Sequence, residues 1–590
     1  MTMLASLARA YERRAARGEA PPFGFSQEKI SWLIPLRADG TPAGAPVDLR
    51  EGEGRKRSPR LMQVPQPPKR TSDVAPNFLW DKTAYVLGVT AGEGKRTAKE
   101  HASFIDNHRE WLAGAKDEGL SAFLGFLDWW RPERFTELGW PDEMRDQNLV
   151  FALESERLAN IRIHDRPEAQ AIWAGLSSGG DKSTALCLVS GRRGPMARLH
   201  PSIKGVWNAQ SSGASLVSFD GDAFCSYGKK QGANAPVSEA AAFAYTTMLN
   251  QFLDRDSGHR LQIGDASTVF WADGGDEVAN EAAAGIFASF FDVDDEVEAK
   301  KVGDALERVR DGLSVPDWSA ALAPGVRFYV AGLAPNAARI SVRFYIEDEF
   351  RDLAGLVAEH QENLRIEPPP RNTLSLWRML LETATLRKRE NIPPNLAGDW
   401  LRAILTGAPY PLTLLSAVLM RIRAEVGAGG YRAINATRVA MLKSILIRNF
   451  NVGAPVALDP TCKDPGYVLG RLFAVYQQIQ YAALGDVNAS VTDKYYGAAA
   501  GHPRKVFTTL ASLSQNHLSR LGKQQRGRMV NLERDVASIM EMMEPSADPF
   551  PANLSDKSQA LFALGYYHQR NKYFAKSDKA AEADAEGDDA

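Results

Sequence analysis

Apolar residues alternating with polar ones, the mark of a half-buried strand, stop at about Glu347 in this sequence. In "GVRFYVAGLAPNAARISVRFYIED" the pattern runs through Val326, Phe328 and Val330, then through Ile340, Val342 and Phe344. That spacing predicts two strands around a Pro-Asn turn. Upstream, short apolar runs such as "NLVFALESE" and "STALCLVSG" alternate with Gly and Ser, and Ala214–Phe219 reads as a further strand. "ASFIDNHREWLAG", "SAFLGFLDWWRPERF" and "SEAAAFAYTTMLNQFLD" carry helical spacing, the last capped by Ser238. Downstream of Glu347 every periodic segment is helical, with breaks at "EPPPRN", "NIPPN" and "GAPYP".

The expected fold class is therefore α+β: a mixed α/β N-terminal region, a mainly helical region and a C-terminal helical bundle. The boundaries fall at 1–346, 347–455 and 456–577, the last two separated by the joint "GAPVALDPTCKDPG". Leu469, Leu472, Phe473, Tyr476 and Ile479 share one helix face, and Phe507, Leu510, Leu513 or Ser514, His517 and Leu521 another. Met529, Leu532, Val536, Ile539 and Met543, then a helix from near Ser555, complete an expected four-helix bundle. Residues 578–590 form an acidic tail expected to be unstructured. At the other end, Leu4, Leu7, Ala8 and Tyr11 give "MTMLASLARAYERRAARG" the spacing of a docked helix, with no apolar signal core after it.

The 70 Lys and Arg nearly balance 72 Asp and Glu, so the whole chain is not a general polyanion binder. Any nucleic-acid role rests on local basic surface or on a partner. Cys187, Cys225 and Cys462 lie far apart, which supports neither a disulfide framework nor a cysteine zinc site and fits a reducing cytoplasm. No apolar run reaches bilayer length.

Catalytic motifs are weak. "GLSSGGDKS" at 175–183 resembles a phosphate loop, but Asp181 separates Gly180 from Lys182, so the lysine does not follow the turn glycine and a carboxylate faces the phosphates. The nine histidines form neither HExxH nor HxH, and His101 and His108 are spaced wrongly for joint ligation from one helix face. They read as core or surface histidines. The acidic run at Asp292 reads as a charged helix start, and no GxSxG elbow occurs. The chain is expected to be non-enzymatic, with no cofactor and no metal.

Two segments have recognition chemistry instead. The Asn208–Pro236 stretch, "NAQSSGASLVSFDGDAFCSYGKKQGANAP", surrounds a short apolar run with Ser, Gly, Asn and Gln, whose small or amide side chains suit close backbone approach to a ligand. The Glu51–Gly88 arm carries Arg55, Lys56, Arg57, Arg60, Lys69 and Arg70 among Pro59, Pro65, Pro67 and Pro68, followed by Phe78, Trp80 and Tyr85. It reads either as a solvated loop entering an aromatic core strand or as a phosphate-contacting arm.

These segments, together with "KGVWNAQSSGASLVSFDGDAFCSYGKKQGANAPVSEAAAFAYTTMLN" and "FYVAGLAPNAARISVRFYIED", resemble the large subunit of the type I-C CRISPR surveillance complex, Cascade, in the same order over nearly the whole chain. The resemblance implies a non-catalytic subunit at the 5′ end of a CRISPR RNA, beside the subunit that binds that end and the repeated backbone subunits. It implies reading of the protospacer-adjacent motif (PAM) on duplex DNA, duplex opening and R-loop formation, and presentation of the displaced strand to a recruited helicase–nuclease. Guide pairing then supplies sequence specificity, and modest protein–DNA contacts tip a nearly balanced strand exchange.

On that reading, Ser211, Ser212 and Gly213 admit backbone to the minor groove, Asn208, Gln210 and Asn234 meet base edges, and Lys229 and Lys230 hold phosphates. Lys69, Arg70, Thr71 and Ser72, with Asn77, form the rival reader. The terminal bundle resembles a fused small subunit, which in this family is also made separately by internal initiation; Met441 and the valines near Val468 are candidate starts. Arg504, Lys505, Arg520, Lys523, Arg526 and Arg528 are either a track for strand backbone or solvated helix faces. The competing readings are a metal-dependent nuclease acting through scattered carboxylates and a scaffold that binds protein subunits alone.

Overall fold

The computed structural model describes the chain except residues 1, 53–56, 69–73, 179–182, 220, 275, 292–295, 372–373, 394, 426–432 and 588–590. At 178, 296–300, 303, 547 and 575–587 it describes the backbone alone. The class is α+β, in two compact units: Met1–Lys204 with Gln210–Gln251, and Gly205–Ala209 with Phe252–Ala590.

The first unit is built on strands Trp32–Leu36 and Asn148–Leu153, which pair in parallel with Trp32 opposite Leu149. Their unbroken apolar runs "WLIPL" and "NLVFAL" follow from burial on both faces. Val47–Asp48 and Asp81–Lys82 flank them, antiparallel, to complete four strands. One face is covered by helices Thr97–Trp111 and Glu118–Trp129, whose Phe123 and Phe126 rings meet Phe151 at 4.9 and 5.2 Å. Against the other face, Ile30, Val64 and Trp80 pack with Leu33, Val150 and Ala152. Ile30 and Val64 come from the antiparallel pair Phe25–Ile30 and Arg60–Pro65. The proline-rich arm is thus extended where it is described, as fixed φ angles require, and the Pro65 carbonyl accepts the Trp80 indole N–H at 2.8 Å.

Helix Met3–Ala16 forms as its spacing predicts, and Tyr11 meets Phe243 edge-on at 5.5 Å. Phe243 lies in helix Glu239–Phe252, where Ser238 Oγ accepts the Ala241 N–H at 3.2 Å as the expected cap. The strand expected at Ala214–Phe219 does not form; only isolated bridges occur, at Ala214, which pairs with Ile203, and at Ser215. Residues 215–219 are only half-buried, so too little apolar surface is gained there to extend a ladder.

In the second unit four antiparallel strands run in the order Arg339–Glu349, Arg327–Asn336, Ala266–Asp273, Arg260–Ile263. The expected pair is present, but its turn is Ala337-Ala338: Asn336 pairs with Arg339, and Ala337 takes φ 53°. Arg327–Asn336 lies inside the sheet and is buried through seven successive positions, so it is not half-buried as its alternation suggested. Phe344 is buried while Val342 is 41 % exposed: the register shifts at Gly332/Leu333, so Val342 and Phe344 oppose adjacent residues and take opposite faces. Gly332 is required there: a Cβ would collide with the Phe344 ring.

Helices from Phe350–Leu364 onward pack on this sheet and on one another in one apolar core, which crosses the expected boundaries at 346 and 455. The C-terminal part contains five helices among the described residues: Pro465–Leu484, Val491–Gly501, Pro503–Gly522, Arg526–Met540 and Asp556–Gly587. The four-helix expectation missed Val491–Gly501, whose small "GAAAG" end leaves a weak apolar stripe despite a Ser490/Asp493 capping box. Most of the acidic stretch from 578 continues the last helix as far as Gly587. Pro465–Leu484 and Asp556–Gly587 are the spine, with backbones in contact: a Cβ on Gly470 would strike the Phe562 carbonyl, and one on Gly565 the Tyr467 carbonyl.

Candidate nucleic-acid interface

Residues 221–230 are exposed at every position. Their tip is a tight turn in which the Lys229 N–H donates to the Ser226 carbonyl at 2.9 Å, with Tyr227 at φ 52° and Gly228 at φ 72°. Two positive φ values at the centre define the primed turn usual in hairpins, which normally uses Asn, Asp or Gly. A tyrosine there costs about 1–2 kcal/mol of backbone strain. Its ring gains nothing in return from the fold, since Tyr227 is 97 % exposed. Phe224 is also exposed, and Lys229 and Lys230 follow on the same loop.

Asn234 holds this loop from its base. Its Oδ1 accepts the Ser226 N–H at 3.2 Å, and its Nδ2 donates to the Lys229 and Gln231 carbonyls at 3.3 and 3.0 Å. The amide expected to meet base edges is thus engaged within its own loop. Gly232 passes so close to Ala197 that a Cβ would collide with its carbonyl, which fixes where the loop leaves the body.

Gln210, Ser211 and Ser212 form a second exposed turn, closed by the Gly213 N–H donating to the Gln210 carbonyl at 2.9 Å. Gly213 is half-buried at φ 92°, where a Cβ would lie 2.9 Å from the Ser202 Cβ, so its small size serves the turn. Asn208 is exposed at φ 59° and belongs to the second unit. Asn77 is 3 % exposed, and its backbone N–H donates to Asp81 Oδ2 at 2.9 Å. It precedes Phe78 and Trp80, which are core residues. Lys69, Arg70, Thr71 and Ser72 lie outside the described residues, as do Arg55 and Lys56. Of the arm's other cations, Arg57 pairs with Asp48 at 2.8 Å and Arg60 with Glu51 at 3.6 Å.

The six basic residues of the bundle are all exposed but fall into two groups. Arg504 and Lys505 open helix Pro503–Gly522, while Arg520, Lys523, Arg526 and Arg528 gather at its far end and the start of the next helix. Arg520 lies sixteen helical steps beyond Arg504, about 24 Å along the axis. Arg504 is neutralised by Asp548 at 2.6 Å. Arg526 and Arg528 sit in the first turn of Arg526–Met540 with no acidic residue there, so they oppose the positive end of the helix dipole.

Three of the histidines are tied into the fold. The His108 Nε2 accepts the Leu79 N–H at 2.8 Å and its Nδ1 donates to the Phe104 carbonyl at 2.7 Å; burial pushes its pKa down to about 3. His360 lies 2.7 Å from the Tyr410 hydroxyl and is likewise lowered to about 3. His101 Nδ1 donates to the Tyr85 carbonyl at 2.8 Å. Among the described residues no group of three or more His, Cys, Asp or Glu is arranged to hold a metal ion, and no helix is long and apolar enough to cross a membrane. Gly180, Asp181 and Lys182 of the phosphate-loop-like segment, and Asp292 of the acidic run, lie outside the described residues.

A family model described as CRISPR-associated protein (Cas_Csd1) matches residues 7–574. The chain belongs to this family. No curated protein matches it. As a Cas_Csd1 protein it is the large subunit of a Cascade-type complex, which works with other CRISPR-associated subunits and a CRISPR RNA. In this Cas_Csd1 chain the exposed cationic loop 221–230 and the Gln210–Gly213 turn share the first unit, and the exposed Arg526 and Arg528 lie in the second. Tyr227 and Phe224 were missed by sequence reasoning; the local signal is an aromatic residue directly before Gly228 and two lysines.

Proposed function

We propose that this chain is the non-catalytic PAM-reading subunit of a type I-C complex, that loop 221–230 and the Gln210–Gly213 turn meet duplex DNA, and that their contacts help open it. The observation that carries the reading is the turn at Tyr227: an exposed aromatic residue held in a strained backbone, followed by two exposed lysines, has no use in the fold itself. Lys229 and Lys230 supply phosphate contacts, and Gln210, Ser211 and Ser212 supply donors and acceptors for a groove. Asn234 acts by positioning the loop, not by reading a base. A near-neutral net charge suits a subunit that must leave non-matching DNA.

The bundle supports the small-subunit likeness in a specific way. Initiation at Val468 would begin inside the first turn of Pro465–Leu484 and keep the Gly470–Phe562 spine contact. Met441 lies in the middle of helix Ala436–Phe450, fully buried, so a product starting there would carry half a helix without its cover. Val468 is the better start. Arg520, Lys523, Arg526 and Arg528 form the strand-backbone contact, and a helicase–nuclease recruited to the open complex does the cutting in the cytoplasm.

The test is crosslinking of a photoreactive PAM duplex to the assembled complex, followed by mapping of the attached peptides. Adducts within 210–230 support the assignment; adducts confined to other segments place duplex recognition elsewhere.

A further inference from the structure

Trp207, in the short segment that belongs to the second unit, keeps 38 % of its surface exposed. Its backbone is fixed on both sides. Gly205, at φ 86°, passes the Leu253 carbonyl so closely that a Cβ would lie 3.0 Å from its oxygen, and Asn208 takes φ 59°. The Trp207 N–H donates to Ser267 Oγ at 3.0 Å, from a fully buried position of strand Ala266–Asp273. An exposed indole is thus carried on a rigid mount.

The guanidinium of Arg389 lies 5.3 Å from the Trp207 ring centroid and 5.0 Å from that of Trp377, within cation–π range of both. Arg389 is exposed, and neither it nor its exposed neighbour Lys388 has a carboxylate partner among the described residues. The loop that presents them is strained, with Leu386 at φ 57° and Arg387 at φ 51°, and Leu386 is 75 % exposed. It is also fastened to the core. Glu382 binds Arg387 Nη2 through Oε1 at 2.5 Å, while its Oε2 lies 3.0 Å from Nε of the fully buried Arg438.

Two indoles, a guanidinium plane between them that no carboxylate neutralises, and an ammonium alongside match one ligand class. A flat, weakly polar ring with an anion attached stacks on the planes and binds the cation, and an unpaired nucleotide is such a ligand. A protein partner fits less well, because Lys388 and Arg389, which no carboxylate pairs among the described residues, would be costly to desolvate at an interface. We infer that Trp207, Arg389 and Trp377 form a stacking platform for one unpaired nucleobase, with Lys388 on the adjoining phosphate. The inference rests on the reading that the chain opens duplex DNA, and it names the residues that receive an unpaired base afterwards.

The test uses the purified full-length chain and a short oligo(dT), followed by fluorescence anisotropy. Trp207→Ala and Arg389→Ala should each weaken binding about tenfold, and Trp207→Phe should stay within about twofold of wild type, because stacking needs a ring and not indole in particular. Lys388→Gln should lower the salt slope by about 0.7, the single-strand value for one phosphate contact. Thermal midpoints equal to wild type confirm that these surface variants fold. Wild-type oligo(dT) affinity in Trp207→Ala, no affinity in the parent chain, or an equal loss in Trp207→Phe and Trp207→Ala overturns the inference. So does a Trp207→Ala chain that keeps oligo(dT) affinity but fails to join its partner subunits, which would make the surface a protein contact. Failure of PAM-duplex binding in the Lys229 and Lys230 variants is read separately, so the two proposals can fail independently.

Discussion

The side-chain amide of Asn234 binds the backbone N–H of Ser226 through its Oδ1, at 3.2 Å, and so closes the loop whose tip is Tyr227. Two further bonds from Nδ2 to the Lys229 and Gln231 carbonyls make the residue a clamp across the loop's neck. Replacing Asn234 with Ala should free the Ser226 amide without touching the body of the unit. Hydrogen exchange at residues 222–231 should speed up, overall stability should fall by no more than about 1–2 kcal/mol, and PAM-duplex affinity should drop with unchanged base preference. A change of base preference with normal exchange would restore Asn234 as a direct reader.

Tyr227 trades stability for exposure. Asn tolerates the left-handed region, so Tyr227→Asn should raise the unfolding free energy by about 0.5–1.5 kcal/mol. The same variant should weaken duplex binding, because it removes the exposed ring. Equal duplex affinity with raised stability would mark the tyrosine as incidental.

Arg526 and Arg528 make the same exchange in the bundle. Each opposes the helix dipole without an acidic neighbour in the first turn, so Arg526→Gln and Arg528→Gln should each stabilise the chain by about 0.3–1 kcal/mol. Together they should reduce the salt slope of strand binding by about 1.4, which is about 0.7 for each phosphate no longer neutralised. Arg504→Gln should instead cost stability slightly or leave it unchanged, since Arg504 is paired with Asp548.

Glu382 links the loop at 385–391 to the buried Arg438. Glu382→Gln removes one of the two carboxylates on the fully buried Arg438, the other being Glu425 at 2.7 Å, and should cost about 1.5–3 kcal/mol, the range for a hydrogen bond to a charged group. Thermal or denaturant unfolding of the second unit checks this. A loss below about 1 kcal/mol would show that Glu425 alone suffices to hold Arg438.

Acid should unfold the chain earlier than its carboxylates alone require. Burial holds His108 and His360 near a pKa of about 3, below the unfolded value of about 6.5. Between those values the unfolded chain binds more protons than the folded one, so the stability present above about pH 6.5 is lost as pH falls. Each histidine steepens the decline by up to about 1.4 kcal/mol per pH unit within that window. Thermal midpoints at a series of pH values between about 7 and 5 read this directly; a flat profile would contradict the burial argument.

The second unit shows how far periodicity carries a sequence reading. Val326 to Phe344 announced two strands, and both formed, yet the turn at Ala337-Ala338 left no residue-type signal, and the bulge that parts Val342 from Phe344 left only Gly332. Alanine is an ordinary residue in an unusual backbone there, and only pairing across the sheet determines it. Val491–Gly501 escaped for the opposite reason, since its small residues give helix without a stripe. At the candidate interface, Gly, Ser and Lys drew attention to one stretch, while the surroundings of each side chain within it depended on three-dimensional contacts. Asn234 turned inward to its own loop, Asn77 is buried, and Tyr227 took the exposed tip.

The most direct measurement uses the assembled RNA-guided complex and a duplex library with randomised bases beside a matched target. Wild type is compared with Gln210→Ala/Ser211→Ala and with Lys229→Ala/Lys230→Ala. The account predicts a relaxed base preference in the first variant and uniformly weaker binding with preference intact in the second. Wild-type preference and affinity in both would contradict it and leave 208–236 as a turn that serves the fold alone.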